Sequence, residues 1–212
     1  MTIINFSEQN SVFNQFIAEM RDKVIQKDSM RFRRNLERAG EVAAYEISKT
    51  LEYSVKEVET PLGIASVSTP DDRIVLGTIL RAGLPLHQGL LNVFDKAENA
   101  FLAAYKKYGK FEFDYAYIPS VDGKILIIDD AMIATGASVI AAYEQFMAHG
   151  TPKHVHIVCP FASSFGVEML SKTLPHKKVT LWVGAIDEEL TNKSFIIPGL
   201  GDAGDLAFGS KQ

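Results

Sequence analysis

Two consecutive acids, Asp129 and Asp130, stand at the end of the aliphatic run Ile125-Leu126-Ile127-Ile128. They directly precede Ala131-Met132-Ile133-Ala134-Thr135-Gly136-Ala137-Ser138. The apolar run reads as a buried parallel strand. Val139, Ile140, Tyr143, Phe146 and Met147 give the next segment helical spacing. Strand, small-residue turn and helix N-terminus form an anion cradle, because the first N–H groups of the helix lack partners and its dipole adds positive potential. Thr135 and Ser138 add hydroxyls, and Gly136 lets a phosphate approach the backbone. Carboxylates would repel that phosphate, so the acid pair suits a neighbouring polyhydroxylated or metal-bound group, such as a ribose with Mg²⁺. Phosphate, sugar and divalent ion in one row describe phosphoribosyl pyrophosphate. The same pattern also arises where acids merely cap a turn. The alternative phosphate-loop reading is weak, since the glycine–lysine–Ser/Thr ending of a P-loop is missing and no G-x-G-x-x-G follows a strand.

Two other places could do chemistry. Arg81 ends the apolar stretch Ile74–Leu80, and the C-terminal ends of parallel strands are where open α/β sheets bind ligands. Near the C-terminus, Phe195-Ile196-Ile197-Pro198-Gly199-Leu200-Gly201-Asp202-Ala203-Gly204-Asp205 sets several glycines behind a proline. Such a loop can offer its own N–H and C=O groups to a planar ligand at close range. It is equally the composition of a turn packed for structural reasons, with Asp202 and Asp205 as turn formers. His87 reads as a packed or exposed histidine and receives no role.

The elements that must position these residues follow from periodicity. Residues 8–27 and 29–51 carry apolar residues at helical spacing, which predicts two helices ahead of the first strand as an appendage on the core. Arg31, Arg33 and Arg34 open the second helix, either as a solvated face or as an anion site. Tyr53–Glu59 and Ile64–Ser68 flank Thr60-Pro61-Leu62-Gly63, which reads as a turn between two strands. A helix follows Arg81 from about Pro85. Ala100–Tyr105 forms a strand, and Phe111, Phe113, Tyr115 and Tyr117 alternate in period two, which predicts a β arm over 106–122 with one apolar face. Strand–helix alternation through His154–Cys159, Gly166–Leu174 and Val179–Val183 argues a mostly parallel sheet flanked by helices.

The stretch around Asp130 resembles the phosphoribosyl-pyrophosphate signature of type I phosphoribosyltransferases, and its Met-Ile-Ala-Thr-Gly core is most similar to the uracil phosphoribosyltransferase family. Ile-Leu-Arg-Ala-Gly at 79–83, Met30-Arg31-Phe32-Arg33 and the segment 185–212 resemble the same family. The resemblance implies a single type I phosphoribosyltransferase domain over 1–212, with a β arm and an N-terminal helical pair, that transfers phosphoribosyl from 5-phosphoribosyl 1-diphosphate to uracil. It implies catalytic roles for Asp130, Arg81 and Asp202. Sugar-diphosphate contacts would come from Arg81, Lys106, Asp129, Asp130, Asp202 and the turn 131–138. The backbone at Ile196, Gly201 and Ala203, with Asp202, would read uracil. Mg²⁺ would travel with the diphosphate without firm protein ligands, GTP activation is left open, and a homodimer or larger homo-oligomer is implied. The chain departs from the family at Lys106, where an arginine is usual and a lysine lacks the bidentate fork. It departs again at Asp129, where an aliphatic residue is usual, and at Ala137, the second glycine of a Gly-Gly pair. A regulatory protein binding the same sugar diphosphate without turnover is the rival reading.

Composition bounds the rest. The 212 residues are 47% hydrophobic and 23% charged, with a net charge of -4, which gives no reason to expect nucleic acid or an anionic membrane. The one cysteine, Cys159, excludes an internal disulfide and reads as a small buried hydrophobe. No charged leader or membrane-length apolar run is visible, so the expected compartment is the cytoplasm.

Overall fold

The structure, a computed structural model, describes residues 1–107 and 110–210; the side chains at 106, 107, 110 and 111 lie outside that description. The chain opens with strand β1 (Thr2–Asn5) and helices α1 (Phe13–Arg21) and α2 (Ser29–Ser48). Strands β2 (Tyr53–Thr60), β3 (Gly63–Pro70) and β4 (Ile74–Leu80) lead to helix α3 (Leu84–Val93), then to β5 (Glu98–Lys107) and β6 (Lys110–Tyr117). β7 (Ile125–Asp129) and the short β8 (Met132–Ile133) precede α4 (Ala137–Met147), β9 (His154–Ser163) and α5 (Ser164–Thr173). β10 (Val179–Asp187), the small pair β11 (Glu189–Leu190) and β12 (Ile196–Ile197), and α6 (Ala203–Phe208) complete the chain.

The main sheet runs β1-β10-β9-β7-β4-β5-β6, with β8 pairing beside β9. Every pairing is parallel except β5 with β6. Parallel strands need both faces covered, and every residue of β7 is buried. On one face Phe13, Met20, Phe32, Leu36, Leu86 and Leu90 bring α1, α2 and α3 onto the sheet. On the other, Val139, Phe146 and Leu170 seat α4 and α5. α2 and α3 approach at backbone distance, since a Cβ on Gly89 would stand 1.9 Å from the Glu37 carbonyl oxygen.

The segment 1–51 differs from the expected helical appendage. Thr2–Asn5 is an edge strand, paired in parallel with Thr180–Val183. The helices are part of the main core rather than peripheral, and α1 spans only 13–21 within the expected 8–27. A four-residue strand with one long-range partner leaves no local periodic signal, which is why it is missed.

The arm differs too. β6 pairs with β5, but the register shifts between Ala103 and Ala104, so that Ala104 faces Phe113 while Ala103 faces Tyr115. The extra residue, Asp114, forms a bulge that turns Phe113 toward the core and leaves Tyr115 and Tyr117 more than half exposed. The single apolar face read from strict alternation is therefore broken. Tyr53–Glu59 and Ile64–Ser68 do form a hairpin, a separate two-stranded sheet of β2 and β3.

Candidate active site at the strand ends

β7 delivers Asp129 and Asp130 to the C-terminal end of the sheet, and successive side chains of an extended chain point to opposite faces. The structure therefore separates the pair. Asp130 faces a cleft, where it lines two adjoining cavities of about 190 and 210 Å³ together with Ala82, Asp202 and Gly204. Arg81 and Ser138 line the first cavity; Met132, Ala134 and Gly201 line the second. Asp129 is fully buried and turned toward α3, where its Oδ2 lies 2.9 Å from His87 Nδ1. Of the two acids, Asp130 lines the cleft and Asp129 does not.

Burial pushes the Asp130 carboxyl from 3.8 up to about 7, and the charge of Asp129 adds to it. The N–H groups of Met132 and Ala131 and the Ser138 hydroxyl, 3.3 Å from Oδ2, work against that rise. An anionic Asp130 thus lacks a counter-charge until a cationic or hydrogen-bonding ligand arrives. Such a perturbed acid in a cleft is typical of functional sites.

The turn after β8 leads directly into α4. Gly136 has φ +78°, a left-handed conformation that disfavours any Cβ, and precedes α4 without a side-chain cap. Ala137 is the first residue of α4, and Ser194 is the one non-glycine with positive φ among the described residues. The alanine therefore sits in helical geometry and does not strain the turn. Thr135 Oγ1 lies 3.5 Å from the Ala137 nitrogen. Ala131 and Ile133 are core side chains, leaving only their backbone to a ligand. The Ser163 hydroxyl donates to the Ala134 carbonyl and accepts from the Gly166 N–H at 2.9 Å, pinning the turn to α5.

Arg81 follows β4 across a cis Leu80–Arg81 peptide. Its guanidinium reaches Asp205 Oδ1 and the Gly209 carbonyl, each at 3.3 Å, and its side chain is 41% exposed, so it is accessible to an incoming diphosphate. Asp202 caps α6, its Oδ1 accepting from the Asp205 N–H at 2.9 Å. Gly201 has φ +99° and open space at its missing Cβ, so its backbone is accessible from the cavity. Ala203 lines the same cavity. Ile196 does not line either cavity; it is buried and paired with Leu190, while Ser194 and Phe195 line the wall in its place. The Lys106 side chain lies outside the described residues.

A family profile described as uracil phosphoribosyltransferase matches residues 7–210, nearly the whole chain. The chain belongs to the uracil phosphoribosyltransferase family. It is 50% identical over 216 residues to the uracil phosphoribosyltransferase of Porphyromonas gingivalis, covering all of both chains. It is 39% identical to that of Methanothermobacter thermautotrophicus, covering 86% of this chain and 85% of the relative. Among solved structures, the AQ2163 protein from Aquifex aeolicus superposes with a TM-score of 0.88 at 30% identity, covering 98% of each chain. A hypoxanthine-guanine phosphoribosyltransferase from Bacillus anthracis shares the fold alone, at TM-score 0.50 and 15% identity over 74% of this chain and 79% of that one. For a uracil phosphoribosyltransferase family member, the type I sheet with its helices on both faces is the expected frame.

Sequence reasoning gave His87 no role, yet it is the partner of Asp129. Its Nε2 lies 2.8 Å from Asn99 Oδ1, and the Asn99 amide nitrogen is committed to the Ala97 carbonyl. Burial alone would lower His87, but the Asp129 carboxylate and Asn99 outweigh it and raise it. Both ring nitrogens thus face acceptors. A polar residue on the otherwise apolar helix face Leu84–Leu90 was the available signal. Arg33 ties α2 to α6, its Nη1 donating to the Ala207 carbonyl at 2.6 Å, while Arg31 and Arg34 pair with Glu19 and Glu37.

Proposed function

We infer that the protein transfers the phosphoribosyl group of 5-phosphoribosyl 1-diphosphate to uracil, giving UMP and diphosphate. The observation that carries the reading is convergence: the anion turn, Asp130, Arg81 and the glycine-rich C-terminal segment line one pair of adjoining cavities. Family membership supplies uracil as the base.

In this reading the 5′-phosphate sits on the N–H groups at 136–138, and Asp130 accepts from the ribose hydroxyls. The bond from C1 to the diphosphate oxygen breaks as uracil N1 attacks, so positive charge develops on the sugar and negative charge on the leaving group. Arg81 offers a guanidinium to the diphosphate, and anionic Asp130 offsets the sugar's charge. The N1 proton leaves to diphosphate or solvent. Among the described residues no cluster of three or more His, Cys, Asp or Glu could hold a metal. Mg²⁺ accompanying the diphosphate would lie near Asp130 and Asp202, where it would supply charge neutralisation for the leaving group.

A homo-oligomer is part of the proposal. The β2–β3 hairpin forms its own sheet and exposes Val55, Leu62 and Ile64, a surface suited to a second copy. Charged sugar phosphates are cytoplasmic metabolites, and no helix among the described residues is long and apolar enough to cross a membrane.

The test is Gly201→Val. At φ +99° a β-branched residue is strained and its side chain enters the cavity. Uracil turnover should vanish while sugar-diphosphate affinity survives. Retained uracil turnover would refute the reading.

A further inference from the structure

We propose that Arg21 and Asp187, which lie outside the cleft, act as one positioning pair that sets the backbone of the base-reading segment and thereby controls affinity for the base. The proposal rests on the assignment of that segment as the uracil reader.

Arg21 is the last residue of α1 and Asp187 the last of β10. Their contact is bidentate, with Nη2 to Oδ1 at 2.7 Å and Nη1 to Oδ2 at 2.9 Å. Asp187 is 7% exposed and Arg21 23%, and the guanidinium lies 4.9 Å from the Phe161 ring centroid. Packed and fork-shaped, this is the kind of ion pair whose geometry is specific.

The pair also holds a third party. Arg21 Nη1 donates to the Gly199 carbonyl at 3.0 Å, and Asp187 Oδ2 accepts from the Gly199 N–H at 3.1 Å. The cation takes the oxygen of Gly199 and the anion takes its N–H, so both peptide units flanking this residue are oriented. Gly199 has φ +52°, and a Cβ there would stand 2.2 Å from the Ile196 carbonyl oxygen. Two residues further on, Gly201 opens into the cavity. Neither Arg21 nor Asp187 lines either cavity.

Backbone recognition of a base depends on hydrogen-bond distances and angles with little tolerance. Side chains can swing to recover a contact; a main-chain reader cannot. Its accuracy depends on whatever fixes the adjoining turn, and at Gly199 that is this pair. The turn assigned to the 5′-phosphate belongs to a different frame, held by Ser163 and α5. Weakening the pair should therefore act on one substrate and spare the other.

The test uses Arg21→Lys and Asp187→Asn in the full-length protein, with KM for each substrate, kcat and equilibrium affinity for phosphoribosyl pyrophosphate measured separately. Lysine keeps the charge but cannot serve both Asp187 oxygens and the Gly199 carbonyl together. Asparagine can still accept from the Gly199 N–H but loses the charge. Each variant should raise KM for uracil by about tenfold or more, while affinity for the sugar diphosphate stays within about twofold. An unchanged KM for uracil, a parallel loss for both substrates, or loss of the native fold in both variants would overturn the proposal. If the parent enzyme uses a different base, the uracil assignment fails, and the KM for that base in the same variants judges the pair.

Discussion

Replacing Asp130 by asparagine is expected to damage catalysis and yet stabilise the substrate-free protein. The carboxyl is pushed from 3.8 up to about 7, first by burial and then by Asp129. At about 1.4 kcal/mol per pH unit, holding it ionised at about pH 8 costs up to about 4 kcal/mol. An amide of the same shape avoids that cost and can still accept from the Ala131 and Met132 N–H groups. The folded-state value lies above the unfolded one, so the parent's stability is greatest below about pH 4 and declines until about pH 7. The advantage of Asp130→Asn should therefore grow with rising pH over that window and level off above it. In a domain of this length, about 2–4 kcal/mol would raise Tm by roughly 5–15 °C. Urea unfolding of both proteins across this range, without substrate, measures it. Turnover should meanwhile fall by about tenfold or more, from loss of a charge-assisted contact. A variant no more stable than the parent at about pH 8, or a gap that does not change with pH, would refute the reasoning.

Gly136→Ala should cost about 1–2 kcal/mol, because φ is +78° and the added Cβ would lie 3.2 Å from the Gly166 carbonyl oxygen; thermal unfolding and phosphoribosyl pyrophosphate affinity report it together. Ala137→Gly should lower stability by about 0.5–1 kcal/mol and leave kcat/KM within about twofold. A large gain in activity there would mean that the alanine strains the turn after all. Uracil should be preferred to cytosine by a few hundredfold in kcat/KM, since a backbone N–H facing O4 and a C=O facing N3–H each meet the wrong partner in cytosine, at about 1–3 kcal/mol per mismatch. Comparable use of both bases would remove the backbone from the recognition step.

Local signals were legible where a function is built locally. The apolar run into Asp130, the turn at Gly136 and the helix after it are consecutive, so pattern alone places them. What depends on a distant partner was not legible. β1 exists because β10 offers it an edge, and Asp114 bulges because β5 sets the register. Asp129 faces away from the cleft because His87 and Asn99 wait on the other side. The Lys106 contact lies outside the described residues. Nothing local to Arg21 signals a partner; only the packing of α1 against the end of β10 gives it Asp187 and Gly199.

The most direct test of the central claim is a product assay on the purified protein with phosphoribosyl pyrophosphate, Mg²⁺ and one free base at a time. With uracil, UMP and diphosphate should appear in equal amounts, while cytosine, orotate and the purine bases should give little or no product. Nucleotide formed from another base in preference to uracil, or sugar-diphosphate binding with no turnover of any base, would contradict the account.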